Sequence, residues 1–339
     1  MNKKTIFLSL IGIIFLFIIF FQEDQSAETQ IYKRSIMGTT YSITVHSEAN
    51  SQDIFFKAST ILDKVNQEMS TYIGDSLISE VNRTEIGEWI KVTEDFLNVL
   101  IYASDLCAKS DGMYDVSIGK LVNLWGFGPD SVNKPPSDKQ IEYLSSQVGC
   151  DSIQIDTRSS SVRRNKDIAL DFSSIAKGFA IDKVFKFLNN QEQLQGFFIE
   201  LGGEIRSTKY KSNQQPWKAG VINPMQPQKI IYSFLSSDYE SFAMATSGDY
   251  MNIRVHDGKE RSHTINPKSG LPSNYSKKSV SVISDSGMKA DALATTLNIM
   301  PLKQALEYAN TNKIMAMFVM ENDNGYKLIF SDQLETVKI

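Results

Sequence analysis

The stretch Leu170-Asp171-Phe172-Ser173-Ser174-Ile175-Ala176-Lys177-Gly178 carries the reading of the fold. It leaves a strand-like run at 167 to 171 and enters a helix over Ser174 to Leu188, whose apolar residues at 175, 179, 184, 185 and 188 form one stripe. Further strand-like runs at 152 to 156 and 197 to 201 stand on either side. Toward the N-terminus, Thr39 to Val45 alternates Tyr41, Ile43 and Val45 on one face, which predicts a strand. Asp53 to Met69, with apolar residues at 54, 55, 58, 61, 62, 65 and 69, predicts a helix, and Asp95 to Cys107 a second one. Asp130 to Lys139, with Pro135-Pro136, reads as a loop. Toward the C-terminus, Lys278 to Ser284 alternates and leads into a helix from about Gly287 to Met300. Met315 to Met320 and Tyr326 to Phe330 then flank Asn324-Gly325, a hairpin signal. Strands and helices mix without a regular βα repeat, so the expected class is α+β, one compact body of mixed sheets and helices over residues 31–339.

Composition removes several functions. The 339 residues are 42% hydrophobic and 22% charged, ordinary for a folded domain. Lys+Arg 35 against Asp+Glu 39 leaves a net charge of -4 and no global basic field, so no nucleic-acid partner is expected. Two cysteines, Cys107 and Cys150, exclude an iron–sulfur ligand set and a four-thiolate zinc site, and leave open either a pair or two buried thiols.

Residues 1–30 read differently. Lys3 and Lys4 precede an apolar run from Ile6 to Phe21, and no convincing cleavage site follows at Gln25-Ser26-Ala27. No cysteine stands after the run to carry a lipid. The expectation is an uncleaved anchor in the cytoplasmic (inner) membrane with the body on the periplasmic or extracytoplasmic side, because the lysines stay inside. A cleaved signal is the alternative.

The chemistry starts from exclusions, since the chain has no G-x-x-x-x-G-K-[ST], no G-x-G-x-x-G opening a helix, no H-E-x-x-H and no C-x-x-C. Asp291 and Thr295 fall four apart on a predicted helix and so share a face, where a carboxylate and a hydroxyl suit a hard cation such as Mg²⁺. An ordinary solvated face, with Thr295 bonded back to a carbonyl, meets the same pattern. The octet Asp171 to Gly178 runs from a strand end into a helix start and suits phosphate, with Lys177 in the first turn. A plain N-cap at Ser173 or Ser174 with a solvated Lys177 meets it too. Ser174 and Lys177 also match the S-x-x-K of penicillin-binding proteins, with Ser247-Gly248-Asp249 and Lys268-Ser269-Gly270 as loose counterparts of the other elements. The last triplet reads as a turn rather than a strand, which makes that match a decoy. His263 lies between a predicted hairpin at Asp257-Gly258 and a Pro turn, at a loop edge where a proton-transfer group could reach a substrate.

Taken in order, nine short segments resemble the FAD:protein FMN transferase family, also called ApbE-like or flavin-trafficking proteins. They are Met37-Gly38-Thr39; Met69 to Tyr72 with Ser76 to Asn82; Asp111 to Asp115; Val122 to Gly128; and Leu170 to Gly178. Leu201 to Arg206, Thr246 to Tyr250, Ser262 to Pro267 and Ala290 to Thr295 complete the set. The resemblance implies a T-fold-related body that cleaves FAD at its pyrophosphate, joins FMN to a Thr or Ser hydroxyl of a flavin-accepting redox protein and releases AMP. It implies that Met37, Tyr72, Met113, Tyr114, Asp115, Asp171, Lys177 and the backbone at Ile265 line the FAD site. Asp291 and Thr295 would hold Mg²⁺ with a carbonyl near Ser174 and one near Ala294, and His263 would transfer the acceptor proton. Three positions depart from the family pattern: Ser173-Ser174 replaces a frequent Gly-Gly, Asn266 stands where Asp is usual, and Ala294 where some members carry a second acid. Rival readings are a Mg²⁺-dependent FAD pyrophosphatase giving FMN and AMP, and a non-catalytic flavin-binding or storage protein.

Overall fold

Met37 and Gly38 have φ of 50° and 71°, the left-handed pair that a two-residue hairpin turn requires. They join β1 (Glu28–Ile36) to β2 (Thr39–Ser47) at one end of the main sheet. Gly202 and Gly203, at φ 61° and 101°, do the same between β6 (Leu194–Leu201) and β7 (Glu204–Ser207). The two turns lie side by side, because a Cβ added at Gly202 would stand 2.8 Å from Cγ2 of Thr39. In this computed structural model, residues 27–130, 135–248, 253–256, 259–273, 277–322 and 325–338 are described.

Between the two hairpins run α1 (Gln52–Met69), α2 (Leu77–Arg83), β3 (Ile90–Lys91), α3 (Glu94–Lys109), α4 (Gly119–Leu124), α5 (Asp138–Gln147), β4 (Ile153–Asp156), β5 (Ser161–Arg164) and α6 (Ala176–Leu188). After β7 come β8 (Lys218–Asn223), β9 (Gln226–Leu235), β10 (Phe242–Gly248), β11 (Ile253–His256), β12 (Lys259–Ser262) and β13 (Lys277–Ser284). The chain closes with α7 (Gly287–Ile299), α8 (Leu302–Thr311), β14 (Met315–Asn322), β15 (Gly325–Phe330) and α9 (Asp332–Glu335). The main sheet has eight strands in the order β1-β2-β6-β7-β10-β13-β14-β15, antiparallel at every pairing.

Alternation sets its two faces. Ile43, Val45 and Ile199 point to α1 and α6, where Leu62, Val65, Ile181 and Val184 meet them in one buried cluster. Ala245, Val280, Val282 and Phe318 meet α7 and α8, while their neighbours Met244, Ile283 and Met317 face Val221 and Phe234 of the β8–β9 ribbon. Helices therefore cover one face and a β ribbon the other, the α+β arrangement expected from the sequence.

Local readings need five corrections. The run at 167 to 171 forms no strand: Ala169 makes one bridge to Ile118, and Leu170 exchanges both backbone bonds with the Asn82 amide, at 2.6 and 2.9 Å. A side chain that mimics a neighbouring strand explains the extended, buried pattern. The helix expected from Ser174 starts at Ala176. Residues 138 and 139 belong to α5, which opens on a capping box between Ser137 and Gln140 rather than in a loop. Helices α2, α4, α5, α8 and α9 were not anticipated, and β1 starts at Glu28, inside the 1–30 segment. Residues 1–26 and the turn residues Asp257, Gly258 and Asn324 lie outside the described residues. Among the described residues no helix is long and apolar enough to cross a membrane.

Cys107 and Cys150 are joined, with Cα atoms 5.7 Å apart and a sequence separation of 43. The bond ties the end of α3 to the turn after α5, and a loop of that size is worth about 2 to 4 kcal/mol in the chain-entropy account.

Candidate functional site

The site is built where α6 crosses α7. A Cβ at Gly178 would lie 2.2 Å from the Gly287 carbonyl oxygen, and one at Gly287 would lie 2.6 Å from that of Gly178. The two helices thus approach on bare backbone. One turn along α6, Asp182 accepts from Ser286 Oγ at 2.6 Å, Gly287 N at 2.7 Å and Met288 N at 3.1 Å, which caps α7 from outside its own chain segment. Arg206 of β7 pairs with Asp182 and lays its guanidinium 4.0 Å from the Phe185 ring centre. With the start of α7 held in this way, Asp291 reaches back and accepts from Gly178 N at 3.0 Å. The α6 ladder then begins with Phe179 N donating to Ile175 O at 3.0 Å, so the Ser174 carbonyl lies outside it.

Gly178→Ala tests this crossing. Its methyl meets backbone that cannot rotate away, so stability should drop by about 1 to 3 kcal/mol, in line with overpacking elsewhere. A denaturant midpoint equal to that of the unmodified protein would show that the helices can part without cost.

Around Asp291 gathers a buried charge cluster. Lys177 Nζ stands 2.5 Å from Glu204 Oε1 and 4.0 Å from Asp291 Oδ2, and Glu204 and Asp291 are only 3% and 5% exposed. The other oxygen of Glu204, Oε2, has no hydrogen-bond partner among the described residues. Burial pushes both carboxyls above their usual range, against the downward pull of Lys177. Burial works to lower Lys177 as well, but Asp291 and Glu204 outweigh it and hold the lysine above its usual range, so the proton stays on the ammonium. Thr295 is half-buried one turn after Asp291; the hydroxyl that bonds back along the helix is that of Thr296, to Ala292 O at 2.7 Å. Ser174 Oγ donates to the buried Tyr114 hydroxyl at 3.1 Å, while Met113 and Ala294 pack together in the apolar cluster under α7.

These oxygens fit Mg²⁺. Asp291, the Thr295 hydroxyl and the Ser174 carbonyl are hard donors with one carboxylate among them, the sparse set that this ion completes with water and phosphate. Among the described residues no three His, Cys, Asp or Glu side chains form a group that could hold a metal ion.

A second group of residues forms a wall nearby. Tyr72 is 69% exposed, and its hydroxyl donates to Phe127 O at 2.8 Å. Burial and then the Asp171 carboxylate raise that phenol above its usual range, which puts Asp171 within electrostatic reach. Asp171 itself accepts from Ser173 N at 2.7 Å and so sits at the opposite end of one short segment from Lys177. The Phe127 ring lies 6.3 Å from the His263 ring, nearly edge-on, and 5.8 Å from the Arg254 guanidinium. Ile265 is buried and bridges Pro272. Asn266 serves its own turn, with Oδ1 accepting from Lys268 N at 2.9 Å and Ser269 N at 3.3 Å. Asp115 accepts from Ser117 N at 2.8 Å, and burial raises its carboxyl above the usual range. Met37 occupies the first hairpin turn and packs on the α1–α6 core.

The serine–lysine pairing of the decoy is not formed, since Ser174 turns to Tyr114, Lys177 to Glu204, and Lys268 pairs with Asp111 at 2.5 Å. Neither Ser173 nor Ser174 caps α6, whose N-cap is Ile175. Sequence reasoning had singled out no role for Glu204, Arg254 or Asp182. A buried acid directly after a Gly-Gly turn was the available signal for Glu204.

Residues 37–319 match the model of the ApbE family. FAD:protein FMN transferase of Haemophilus influenzae is 34% identical over 88% of this chain and 89% of its own length. The protein of the same name from Vibrio cholerae is 33% identical over 90% and 91%. Among solved structures, the flavin transferase ApbE of Vibrio cholerae superposes with a TM-score of 0.79 at 31% identity, covering 91% of this chain and 99% of that one. The apo form of the Pseudomonas stutzeri flavinyl transferase ApbE gives 0.82 at 27% identity, covering 92% and 97%.

Proposed function

The chain belongs to the ApbE family and is, like its curated relatives, an FAD:protein FMN transferase, and we propose that it works as a Mg²⁺-dependent enzyme on a Thr or Ser hydroxyl of an extracytoplasmic redox protein. In this reading the acceptor oxygen bonds to the phosphorus of the FMN half, the P–O bond to AMP breaks, and the hydroxyl proton passes to His263. What supports it is the buried Asp291 carboxylate, which accepts from the Gly178 amide at the start of α6 and lies 4.0 Å from the Lys177 ammonium.

Each group has a task that its environment supports. Asp291, Thr295 and the Ser174 carbonyl would hold Mg²⁺, which would screen the phosphate charge that builds as AMP leaves. Lys177, in the first turn of α6, favours the same anion. Tyr72, Asp171 and the Ile265 backbone hold the flavin half against Phe127, and Met113, Tyr114 and Asp115 continue the lining. His263, within ring contact of Phe127, stands beside that wall, and positioning supplies much of the remaining rate.

The Cys107–Cys150 bond supports an oxidising compartment and hence a body outside the cytoplasm, tethered by the apolar run in residues 1–30. Incubation with FAD, Mg²⁺ and a candidate acceptor subunit should add the mass of FMN to the acceptor. Free FMN and AMP with an unmodified acceptor would point to a pyrophosphatase, and FAD recovered intact to a storage protein.

A further inference from the structure

We propose that Glu204 is a positioning residue that sets the charge of the metal site by holding the Lys177 ammonium away from Asp291. The inference rests on the reading of Asp291 as a metal ligand. It starts from an imbalance: Lys177 has two carboxylates to choose from and sits at 2.5 Å from one and 4.0 Å from the other. Glu204 is fixed for this task. It is the first residue of β7, directly after the Gly202-Gly203 turn, in register with Leu201 of β6, so the sheet and not the helices determines where its carboxylate stands.

The consequence is electrostatic. With Lys177 paired to Glu204, the buried trio keeps one net negative charge, carried by Asp291. If Glu204 were neutral, the ammonium would turn to the only remaining carboxylate. A lysine on Asp291 competes directly with a cation for the same oxygens. Glu204 Oε2, buried and without a partner among the described residues, would be an acceptor for water held on the ion.

Charge counting therefore predicts effects of opposite sign. Relative to the unmodified chain, Glu204→Gln makes the trio neutral and should weaken metal binding about tenfold or more, whereas Lys177→Met makes it doubly negative and should tighten binding by a similar factor. The double variant restores a single negative charge and should bind close to the unmodified chain, so the two substitutions couple strongly.

The test is Mn²⁺ binding to the full chain without FAD, with free Mn²⁺ counted by electron paramagnetic resonance at a pH where the carboxylates are ionised. A Glu204→Gln affinity equal to the unmodified value, or a double variant as weak as Glu204→Gln alone, would overturn the inference. Thermal melts establish that each variant is folded. If Glu204→Gln does not fold, Lys177→Met decides alone, with unchanged or weaker binding as the negative result. Asp291→Asn separates this inference from the metal reading: if Asp291→Asn binds as the unmodified chain does, or if that chain takes up no Mn²⁺, the metal reading fails and this inference with it. Loss of binding in Asp291→Asn, together with no effect of Glu204→Gln, overturns the role of Glu204 alone.

Discussion

Asp291→Asn is expected to reduce FMN transfer by about 10³-fold or more, because the Lewis-acid contribution of a metal to phosphoryl chemistry amounts to several kcal/mol. Asparagine keeps an oxygen for the Gly178 amide, which now donates to Asp291 at 3.0 Å, so the α6–α7 crossing should survive. What disappears is the single formal negative charge assigned to the ion. Lys177 then faces only Glu204, and nothing neutralises a divalent cation at Thr295 and the Ser174 carbonyl. Thr295→Val should cost less, since a neutral hydroxyl contributes less than a carboxylate to a hard cation. Transfer rates measured against Mg²⁺ concentration, with flavin fluorescence titrated in parallel, separate lost metal from lost FAD. Full Mg²⁺-dependent activity in Asp291→Asn would take α7 out of the metal site.

His263→Ala should slow transfer by about 10² to 10⁴, the usual worth of a general base, with little change in FAD affinity. The imidazole meets the flavin wall through its edge-on approach to Phe127 at 6.3 Å, whereas Tyr72 anchors the same wall by a hydrogen bond to the Phe127 carbonyl. Truncation at 263 therefore leaves that hydrogen bond in place and removes the group proposed to take the acceptor proton. Single-turnover transfer to a Thr-bearing acceptor, alongside FAD titration of the same variant, reads the two quantities separately. An unchanged rate would exclude His263 from proton transfer, and a large loss of affinity would make it a binding residue.

Where a pattern depends on neighbours along the chain, reading residues in order sufficed. The alternation of Tyr41, Ile43 and Val45 and the apolar stripe from Ile54 to Met69 describe β2 and α1 because burial on one face imposes a period of two or of 3.6. The same holds for the spacing of Asp291 and Thr295, which puts both on one side of α7. Local logic misled at 167 to 171, where the Asn82 amide takes the place of a strand.

The pairings that turn these elements into a site are of another kind. Glu204 meets Lys177 across 27 residues and Asp182 caps α7 across more than 100, and no periodicity links such positions. Gly178 and Gly287 look like ordinary helix glycines until each is seen against the other's carbonyl. Cys107 and Cys150 could have been two buried thiols, and the packing of α3 against the turn after α5 makes them one bond. A chain written in order carries its local periods openly. Which buried charge neutralises which depends on distances across the core, and these exist only once the sheet and helices have packed.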